Sequence, residues 1–525
     1  MILLTILAYF ALLMLVSRLT SRKADNDTFY RGNRHSPWYM VAFGMIGASI
    51  SGITFVSVPG MVAKADMTYM QTCLGFILGY FVVAFVLLPV YYKHNLTTIY
   101  SFLDKRLGAR SYKVGASFFL LSKMTGAAAR FYVVCFILHR FVFADMNVPF
   151  AVTASGMVFL IWLYTRRGGI KTLVWTDAFQ TLCMFAALGL IIYNVMGNLG
   201  LDTASMIKAI ANDSHSRIFV FDDWMSKQNF WKQFLSGIFI VIVMTGLDQD
   251  MMQKNLTCKS LSDAKKDMCS YGFAFVPANL LFLALGVLLL MLLGKYNLQM
   301  PASGDDLLPM FAASGMLGNG VVVLFSLGIV AASFSSADSA LTALTTSYCV
   351  DICQRKDDEK MRKRVHVVMA VVFALFVVLF KMVNSQGVLD AIYTLCGYTY
   401  GPLLGLFAYA LLTKRSVGDK AVPYIAVASP VICFIIDWYT KNYTAYRFGY
   451  ELLMLNGMLT FLGLWISSLK VKRRNISSTL MKYSFFLYVI CLPFSKAHNA
   501  YNYNVARYLS ASRAALHPEP AATIA

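Results

Sequence analysis

One apolar segment, SLGIVAASFSSADSALTALTTS, carries small and hydroxyl-bearing residues at intervals that would bring them together on a helix. They recur at i, i+3, i+4 and i+7, and they are Ala332, Ser335, Ser336 and Ser339. Residues at these intervals share one stripe of a helix. Sodium is a hard cation that takes oxygen ligands, by the same logic as calcium and magnesium. The stripe is therefore a candidate sodium site, and the alternative is a hydrogen-bonded serine face between packed helices.

Two carboxylates also lie inside apolar segments. Asp338 comes three residues after Ser335, and Asp177 follows the turn in RRGGIKTLVWTDAFQ by a few residues. A carboxylate at such a depth in an apolar span is costly, which indicates a function rather than packing. Asp177 has two interpretations: it pairs with a lysine, or it completes a cation shell together with Asp338.

Two basic residues share a face in the segment SFFLLSKMTGAAARFYVV. Lys123 and Arg130 are seven residues apart, and Arg130 lies well inside the segment. An unpaired guanidinium is costly there, and its planar fork suits carboxylate groups. Arg130 therefore binds either a protein aspartate or the carboxylate of a substrate.

The signatures of enzyme chemistry are missing from the sequence. The seven histidines are scattered without the spacing of a metal site, and sodium is the only metal that the sequence indicates. No glycine-rich loop of the kind that holds phosphates is present. We expect neither an enzyme nor a protein that uses ATP as its energy source.

Composition indicates the surroundings in which these residues must work. The chain of 525 residues is 58% hydrophobic and 14% charged, whereas soluble proteins carry roughly 25% charged residues. Apolar runs of roughly 18 or more residues, long enough to cross a bilayer, recur along the chain. They are continuous rather than alternating, which excludes a β-barrel. The sequence predicts an all-α polytopic membrane protein whose surroundings are a lipid bilayer.

The net charge of +20 is distributed as in a membrane protein. One alternating set of loops holds about 31 lysines and arginines, and the opposite set holds about six. Basic loops face the cytoplasm, so the N-terminus is predicted outside and the location is the cell (inner) membrane. This pattern argues against a nucleic-acid partner, and no obligate protein partner is evident.

The apolar runs predict thirteen spans, with a fourteenth near 482–495. The thirteen are 2–19, 38–63, 70–92, 114–140, 148–165, 173–196, 231–252, 268–294, 317–349, 366–384, 387–412, 421–438 and 450–469.

Two of these spans contain features of interrupted helices. The second, VAFGMIGASISGITFVSVPGMVAKAD, contains several glycines and a Pro-Gly pair, and the span near 317–349 is rich in small hydroxyl residues. Interrupted segments in corresponding halves of a chain are typical of transporter binding sites, because unwound carbonyls can coordinate a cation. Close helix packing uses the same residue types.

Several motifs of the chain resemble those of the sodium:solute symporters, the family of the sodium–glucose, proline and sialic acid symporters. They are ADNDTFYRGNRHSPWYM, LTTIYSFLDKRLG, GGIKTLVWTDAFQ and, most specific, GLDQDMMQKNLTCKSLSDAKK. The resemblance covers about residues 1–470 and implies sodium-coupled import of a small organic solute by alternating access.

The resemblance also implies a LeuT-type fold, in which a core of five plus five helices forms two inverted repeats. The implied segments are an extra N-terminal span and loop (1–35), the first repeat (36–196), an extracellular loop (197–230), the second repeat (231–412), additional C-terminal spans (413–495) and a tail (496–525).

Carried over by position, the family's sodium site lies between the first and eighth core helices. Its implied ligands are the carbonyls of Gly47, Ile50 and Ala332 and the hydroxyls of Ser335 and Ser336. Members with a second sodium use positions matching Asp177, Ser335, Asp338 and Ser339. Asp338 departs from the usual small or hydroxyl residue, so it either strengthens a second cation site or binds a proton. One or two sodium ions are therefore expected.

The resemblance implies the substrate less directly. Sugar-transporting relatives use a glutamine and a glutamate where this chain has Thr54 and about Cys73, so the sugar pattern is missing. In the sialic acid symporters the substrate contacts match Ser51, Thr54 and Arg130, with the arginine holding the carboxylate. A carboxylate-bearing solute, sialic acid-like, is the first hypothesis. A neutral sugar, polyol or amino acid is the second, and a solute-sensing membrane domain is a remote third.

Overall fold

The structure is a computed structural model. It describes residues 2–21, 24–141, 147–313, 315–383, 388–444 and 446–469. Apart from one isolated bridge between Ser36 and Cys258, these residues form helices and loops, without a β-strand. The predicted fourteenth span and the tail lie outside the described residues. All the described residues except 411–414 belong to one structural unit, which contains the whole site discussed below.

The first half of the described chain contains eleven α-helices and three short 3-10 or π segments. The α-helices are α1 (Ile2–Thr20), α2 (Asn26–Arg31), α3 (Trp38–Ser49), α4 (Gly52–Ala65), α5 (Tyr69–Val82), α6 (Leu88–Lys93), α7 (Ser101–Arg106), α8 (Ala109–Phe141), α9 (Phe150–Gly168), α10 (Ile170–Leu199) and α11 (Thr203–Asn212). The short segments are Gly32–Arg34, Val83–Leu87 and Ser214–Ser216.

Nine further α-helices follow in the described part of the second half. They are α12 (Phe230–Val241), α13 (Gln249–Asn255), α14 (Leu261–Lys295), α15 (Leu307–Ala313), α16 (Asn319–Ser347), α17 (Glu359–Val383), α18 (Val388–Leu412), α19 (Val422–Tyr443) and α20 (Leu452–Ser468). The π segments Ile242–Gly246 and Tyr348–Ile352 extend α12 and α16, and the 3-10 turn Gly304–Asp306 precedes α15.

The thirteen predicted spans each coincide with a helix or with two consecutive helices of this series. Among the described residues, eight helices are long and apolar enough to cross a membrane, and two bent pairs bring the number to ten. The shorter apolar helices Leu4–Thr20 and Leu452–Ser468 are also present. Membrane-length helices therefore make up most of the described part of the chain.

The first bent pair is α3 and α4, which meet at an angle of 57°. Ile50 and Ser51 separate them, and both leave helical geometry, with ψ angles of 81° and 169°. The flanking sequence GASISG is poor in strong helix formers and rich in glycine and serine, which lowers the cost of a break. A broken helix leaves its last carbonyls without intrahelical donors, so this segment offers backbone oxygen atoms inside the protein.

The second bent pair corrects the sequence prediction. It joins Phe230–Gly246 to Gln249–Asn255 at 69°, whereas the sequence indicated an interruption in the span near 317–349. Helix α16 is instead continuous over that span. Its hydroxyl side chains bond back to carbonyls one turn earlier, as Ser333 does to Ile329 at 2.6 Å and Thr346 does to Thr342 at 2.8 Å. Its hydroxyl-rich sequence contains no proline and therefore stays helical.

Helices α3, α10 and α16 contact one another in the interior. Helix α10 carries Asp177, α16 carries the serine stripe, and α3 ends at the first break. This packing gathers the residues singled out by the sequence around one point of the fold.

Candidate functional site

One member of the serine stripe of α16, Ser336, faces the break between α3 and α4. The Ser336 hydroxyl donates to the carbonyl of Ala48 at 2.9 Å and, more weakly, to that of Ala332 at 3.4 Å. Ala48 lies in the last turn of α3, two residues before Ile50. The hydroxyl that the sequence selected therefore sits against the backbone carbonyls of the broken helix.

The other residues of the predicted sodium site lie in the same buried region. Gly47 belongs to the last turn of α3, and Ile50 is the first residue of the break. Ala332 is one turn from Ser336 on α16, and the Ser335 hydroxyl points the other way, toward Asp177. These groups offer only oxygen atoms, carbonyl or hydroxyl, and this donor set fits a hard monovalent cation.

Gly47 allows α3 to approach α10 closely. A Cβ atom at this position would lie 1.9 Å from the Thr181 hydroxyl oxygen and 3.1 Å from the Thr181 Cα atom. We expect Gly47→Ala to destabilise the protein by about 1–3 kcal/mol, the usual cost of overpacking, and to lower the unfolding temperature in detergent. Gly189→Ala on α10 is the matched control, because a Cβ atom there meets nothing within 4 Å. Equal unfolding temperatures for the two variants would contradict this packing.

Asp177 forms a buried ion pair with Lys254 of α13. The Lys254 Nζ atom lies 2.7 Å from Asp177 Oδ2, and both side chains are no more than 2% exposed. The Ser335 hydroxyl donates to the other oxygen, Oδ1, at 2.8 Å. Of the two interpretations of Asp177, the structure thus contains the lysine pair, and Ser335 joins this carboxylate to the serine stripe.

Asp338 has a different environment. The Tyr164 hydroxyl of α9 donates to its Oδ2 atom at 2.5 Å, and the Ser339 hydroxyl lies 3.2 Å from Oδ1. Within the described ranges no lysine or arginine forms an ion pair with this carboxylate, although it is close enough to Asp177 and Lys254 for their charges to interact. Of these two buried carboxylates, only Asp177 has an ion pair, with Lys254, among the described residues.

Arg130 lines a pocket beside the serine stripe and the break. Ser336, Ala48 and Ser49 line the same pocket, together with residues of α5, α12 and α14. In the part of the chain that the structure describes, the Arg130 guanidinium has no ion-pair or hydrogen-bond partner. An unpaired guanidinium inside a membrane protein is costly, and its planar fork leaves this group able to bind a carboxylate.

Lys123, which lies on the same face of α8 as Arg130, does have protein partners. Its Nζ atom lies 2.6 Å from Asp250 Oδ2 and 3.2 Å from Asp248 Oδ2. Sequence reasoning missed this cluster, although Asp248 and Asp250 stand in the motif GLDQDMMQK used for the family resemblance. Two carboxylates two residues apart in an apolar surrounding were the signal that could have found it.

A chain of hydroxyl groups lines the same pocket and was also missed. Ser49 and Tyr271 are joined at 2.5 Å, and the Tyr80 hydroxyl donates to that of Tyr271 at 2.7 Å. Tyrosines in apolar spans are common, so no local pattern distinguishes Tyr80 and Tyr271 from the others. Together they provide hydrogen-bond donors and acceptors for a hydroxylated solute.

Ser51 and Thr54, predicted to contact substrate, lie at the beginning of α4 and are only 4% and 7% exposed. They do not line the pocket that contains Arg130. The structure therefore brings Arg130 and Ser336 together in one pocket, and it does not bring Ser51 and Thr54 into that pocket.

A second cavity of about 310 Å³ lies farther along α4. Ser57 and Lys64 line it from α4, and Gly304 lines it from the turn before α15. Gly60 and Gly304 are in close backbone contact, since a Cβ atom on Gly60 would lie 2.0 Å from the Gly304 carbonyl oxygen. The two cavities are thus lined by different halves of the broken helix, with Ser51 and Thr54 between them in sequence.

Comparison with known proteins finds the same family that the sequence motifs resemble. The sequence model of the sodium:solute symporter family matches residues 29–421. The sodium/sialic acid symporter of Aliivibrio fischeri is 24% identical over 476 residues, covering 86% of this chain and 91% of that protein. The sodium/sialic acid symporter of Proteus mirabilis is 22% identical over 462 residues, covering 84% and 90%.

Two solved structures share the fold. A substrate-bound, outward-open sodium-coupled sialic acid symporter aligns with a TM-score of 0.76 at 20% identity, covering 90% of this chain and 98% of that chain. Mhp1, a nucleobase-cation-symport-1 family transporter in a closed conformation, aligns with a TM-score of 0.56 at 13% identity, covering 88% and 98%. The predicted LeuT-type fold class is confirmed by these alignments.

Proposed function

Because the chain belongs to the sodium:solute symporter family, we propose that it imports a carboxylate-bearing organic solute with sodium, and that this solute is sialic acid-like. Members of this family are transporters rather than enzymes, as the sequence predicted. The names of the two bacterial relatives support the choice of substrate, since both are sodium/sialic acid symporters.

One observation carries this proposal. A single pocket is lined by Arg130, without a protein partner among the described residues, and by Ser336, which contacts the broken helix. The guanidinium fork suits a carboxylate, and the oxygen atoms around Ser336 suit sodium. In our proposal the two charges bind side by side, so each lowers the electrostatic cost of the other.

Sodium binding at Gly47, Ile50, Ala332, Ser335 and Ser336 would order the break between α3 and α4. By linkage, if sodium raises substrate affinity, substrate raises sodium affinity by the same factor. Each net positive charge that moves inward gains about 2.3 kcal/mol per 100 mV, which corresponds to roughly 50-fold accumulation. Because a carboxylate substrate carries one negative charge, one coupled sodium ion makes transport electroneutral, and a second coupled cation is needed for one net positive charge to move inward.

The arrangement of the two cavities supports alternating access. The pocket with Arg130 is lined by the α3 half of the broken helix, and the 310 Å³ cavity is lined by the α4 half. We infer that the Gly60–Gly304 contact belongs to the outer closure and that Ser51 and Thr54 contact substrate when that closure opens.

A second cation site at Asp177, Ser335, Asp338 and Ser339 is part of the proposal. Two buried carboxylates and one ammonium, that of Lys254, leave one negative charge in this cluster. A buried, uncompensated charge is unfavourable, so the cluster favours one further monovalent cation. From this charge count we infer that two cations are transported with each substrate molecule.

We also propose the segment boundaries and orientation that the sequence predicted. Each bent pair is the first span of one of the two repeats, 36–196 and 231–412, as expected if the repeats are equivalent. The excess of basic residues in alternate loops supports an inner-membrane location with the N-terminus outside.

A neutral hydroxylated solute is the second candidate. The chain of hydroxyl groups at Ser49, Tyr271 and Tyr80 favours it, because such groups bind sugar or polyol hydroxyls. In that case Arg130 would contribute little to affinity.

A binding screen on the purified protein tests the proposal. Carboxylates including sialic acid, neutral sugars and amino acids would be compared by thermal shift in sodium and in potassium. We expect sialic acid or a related carboxylate to raise the unfolding temperature in sodium only. Stabilisation by neutral sugars alone would favour the second candidate, and equal shifts in both salts would contradict sodium coupling.

Ser336→Ala tests the sodium site separately. Removing one hydroxyl ligand should raise the sodium concentration for half-maximal uptake by about fivefold, in line with the roughly 1 kcal/mol of a typical hydrogen-bonding group. Ser333→Ala is the matched control, because among the described residues its hydroxyl donates to the Ile329 carbonyl of its own helix. An unchanged half-saturation in Ser336→Ala would contradict the assignment of this residue.

A further inference from the structure

We propose that Lys123 is a second, inner binding residue for the substrate's carboxylate, and that its ion pair with Asp250 is a latch that the substrate releases as it leaves toward the cytoplasm. This inference rests on the proposed function, because it requires a substrate with a carboxylate group. It concerns a cluster that neither the sodium site nor Arg130 explains.

The two basic residues form a track along α8. Lys123 and Arg130 line the same pocket, and a helix rises 1.5 Å per residue, so seven residues separate them by about 10 Å along the axis. Helix α8 begins at Ala109, directly after the basic loop that is predicted to face the cytoplasm. Lys123 is therefore the next cation on the inner side of Arg130.

Lys123 connects α8 to α13, which is the second helix of the second bent pair. It lies 2.6 Å from Asp250 and 3.2 Å from Asp248, at the N-terminal end of α13. The three side chains are at most 10% exposed. An ion pair of this kind, between helices on opposite sides of a pocket, holds the pocket together for as long as it is intact.

The two aspartates depend on Lys123 to different degrees. Asp248 also accepts the Asp250 backbone N–H at 2.8 Å and the Tyr400 hydroxyl at 2.6 Å, so other donors satisfy it. Asp250 has only Lys123 on its Oδ2 atom, and its buried Oδ1 atom has no hydrogen-bond partner among the described residues. Asp250 is thus the partner that a competing carboxylate can displace.

The displacement links substrate movement to opening. A carboxylate that moves from Arg130 to Lys123 takes the ammonium from Asp250. The freed Asp250 is then a buried carboxylate without an ion pair among the described residues, with only the more distant charge of Lys254 acting on it, which is unfavourable until water reaches it. Movement of α13 away from α8 admits that water, so the arrival of the substrate favours opening of the pocket on this side.

A static ion pair that only stabilises the fold predicts something different. It would affect expression and unfolding temperature, but it would not separate substrate binding from turnover. The latch requires binding at Arg130 to persist while release to the inside slows.

The test compares Lys123→Gln, Lys123→Arg and Asp250→Asn in detergent and in proteoliposomes, with sialic acid as the probe. Lys123→Gln should lower the maximal rate of sodium-driven uptake by about tenfold or more, with the Kd in sodium changed by less than about threefold, the pattern of a lost step after binding. Lys123→Arg, which keeps the charge, should recover most of the rate. Asp250→Asn removes the competitor for Lys123 and should tighten apparent binding about threefold or more, as expected when a bound competitor is removed.

Each other outcome overturns the inference. If Lys123→Gln loses binding to the extent that Arg130→Gln does, Lys123 belongs to the primary site. If its uptake is unchanged, or if Lys123→Arg does not recover the rate, the latch is wrong while the proposed function stands. If Lys123→Gln does not fold, Asp250→Asn decides, and wild-type affinity and rate there contradict the latch. If the wild-type protein binds only neutral solutes in sodium, the proposed substrate class fails first and the latch fails with it.

Discussion

Arg130→Gln is expected to lower the affinity for a carboxylate solute by roughly 100-fold, because a hydrogen bond to a charged group contributes about 1.5–3 kcal/mol. The variant should still fold, since the guanidinium has no partner among the described residues that would be left unpaired. Isothermal titration of sialic acid in sodium measures the change directly. Thermal stabilisation by sodium alone should be retained, because the predicted sodium ligands lie on α3 and α16.

Two controls separate charge from geometry at this position. Arg130→Lys keeps the charge and loses the planar fork, so it should bind with intermediate affinity. The methyl ester of the solute lacks the carboxylate charge, and its weak binding should be the same in wild type and in Arg130→Gln. If Arg130→Gln binds sialic acid as tightly as wild type does, the guanidinium is not the carboxylate ligand.

Asp177→Asn should have the largest effect on stability. It leaves the Lys254 ammonium buried without a carboxylate, and breaking such a pair costs about 3–5 kcal/mol. We expect little folded protein by size-exclusion chromatography and a markedly lower unfolding temperature. Replacing both partners, in Asp177→Leu with Lys254→Met, should recover much of the lost stability, because no unpaired charge remains.

Asp338→Asn is the matched control and also reports the number of cations. Among the described residues this carboxylate has no ion-pair partner, and the Tyr164 hydroxyl can still donate to the asparagine oxygen, so the loss of stability should be small. If the cluster holds a second sodium ion, the sodium Hill coefficient of uptake should fall from about two toward one when its net charge is removed. A stable Asp177→Asn variant would contradict the buried pair, and an unchanged coefficient above one would contradict the second site.

Much of the fold was predictable because it depends on local properties of the chain. Hydrophobic length alone located the thirteen spans within the described residues, since a bilayer requires long apolar helices. The break at Ile50 and Ser51 followed from weak helix formers around it. The serine stripe followed from helix periodicity, which places Ser335 and Ser336 on neighbouring positions of one helix.

The missed features depend on contacts between distant parts of the chain. The partner of Asp177 is Lys254, 77 residues away in the sequence, and no local pattern selects it from the other basic residues. The same is true of Lys123 with Asp250 and of Tyr164 with Asp338. The second break was misplaced because hydroxyl residues favour both an interrupted and a continuous helix, and the bonds from Ser333 and Thr346 back to their own helix decide between them.

The most direct test of sodium-coupled carboxylate import is uptake of labelled sialic acid into proteoliposomes that contain only this protein. An inward sodium gradient should drive accumulation above the external concentration, and an inside-negative potential should increase it, because net positive charge moves inward. Replacing external sodium with potassium or choline should abolish accumulation. Uptake that is equal in all three salts, or that never exceeds the external concentration under a sodium gradient, would contradict the account.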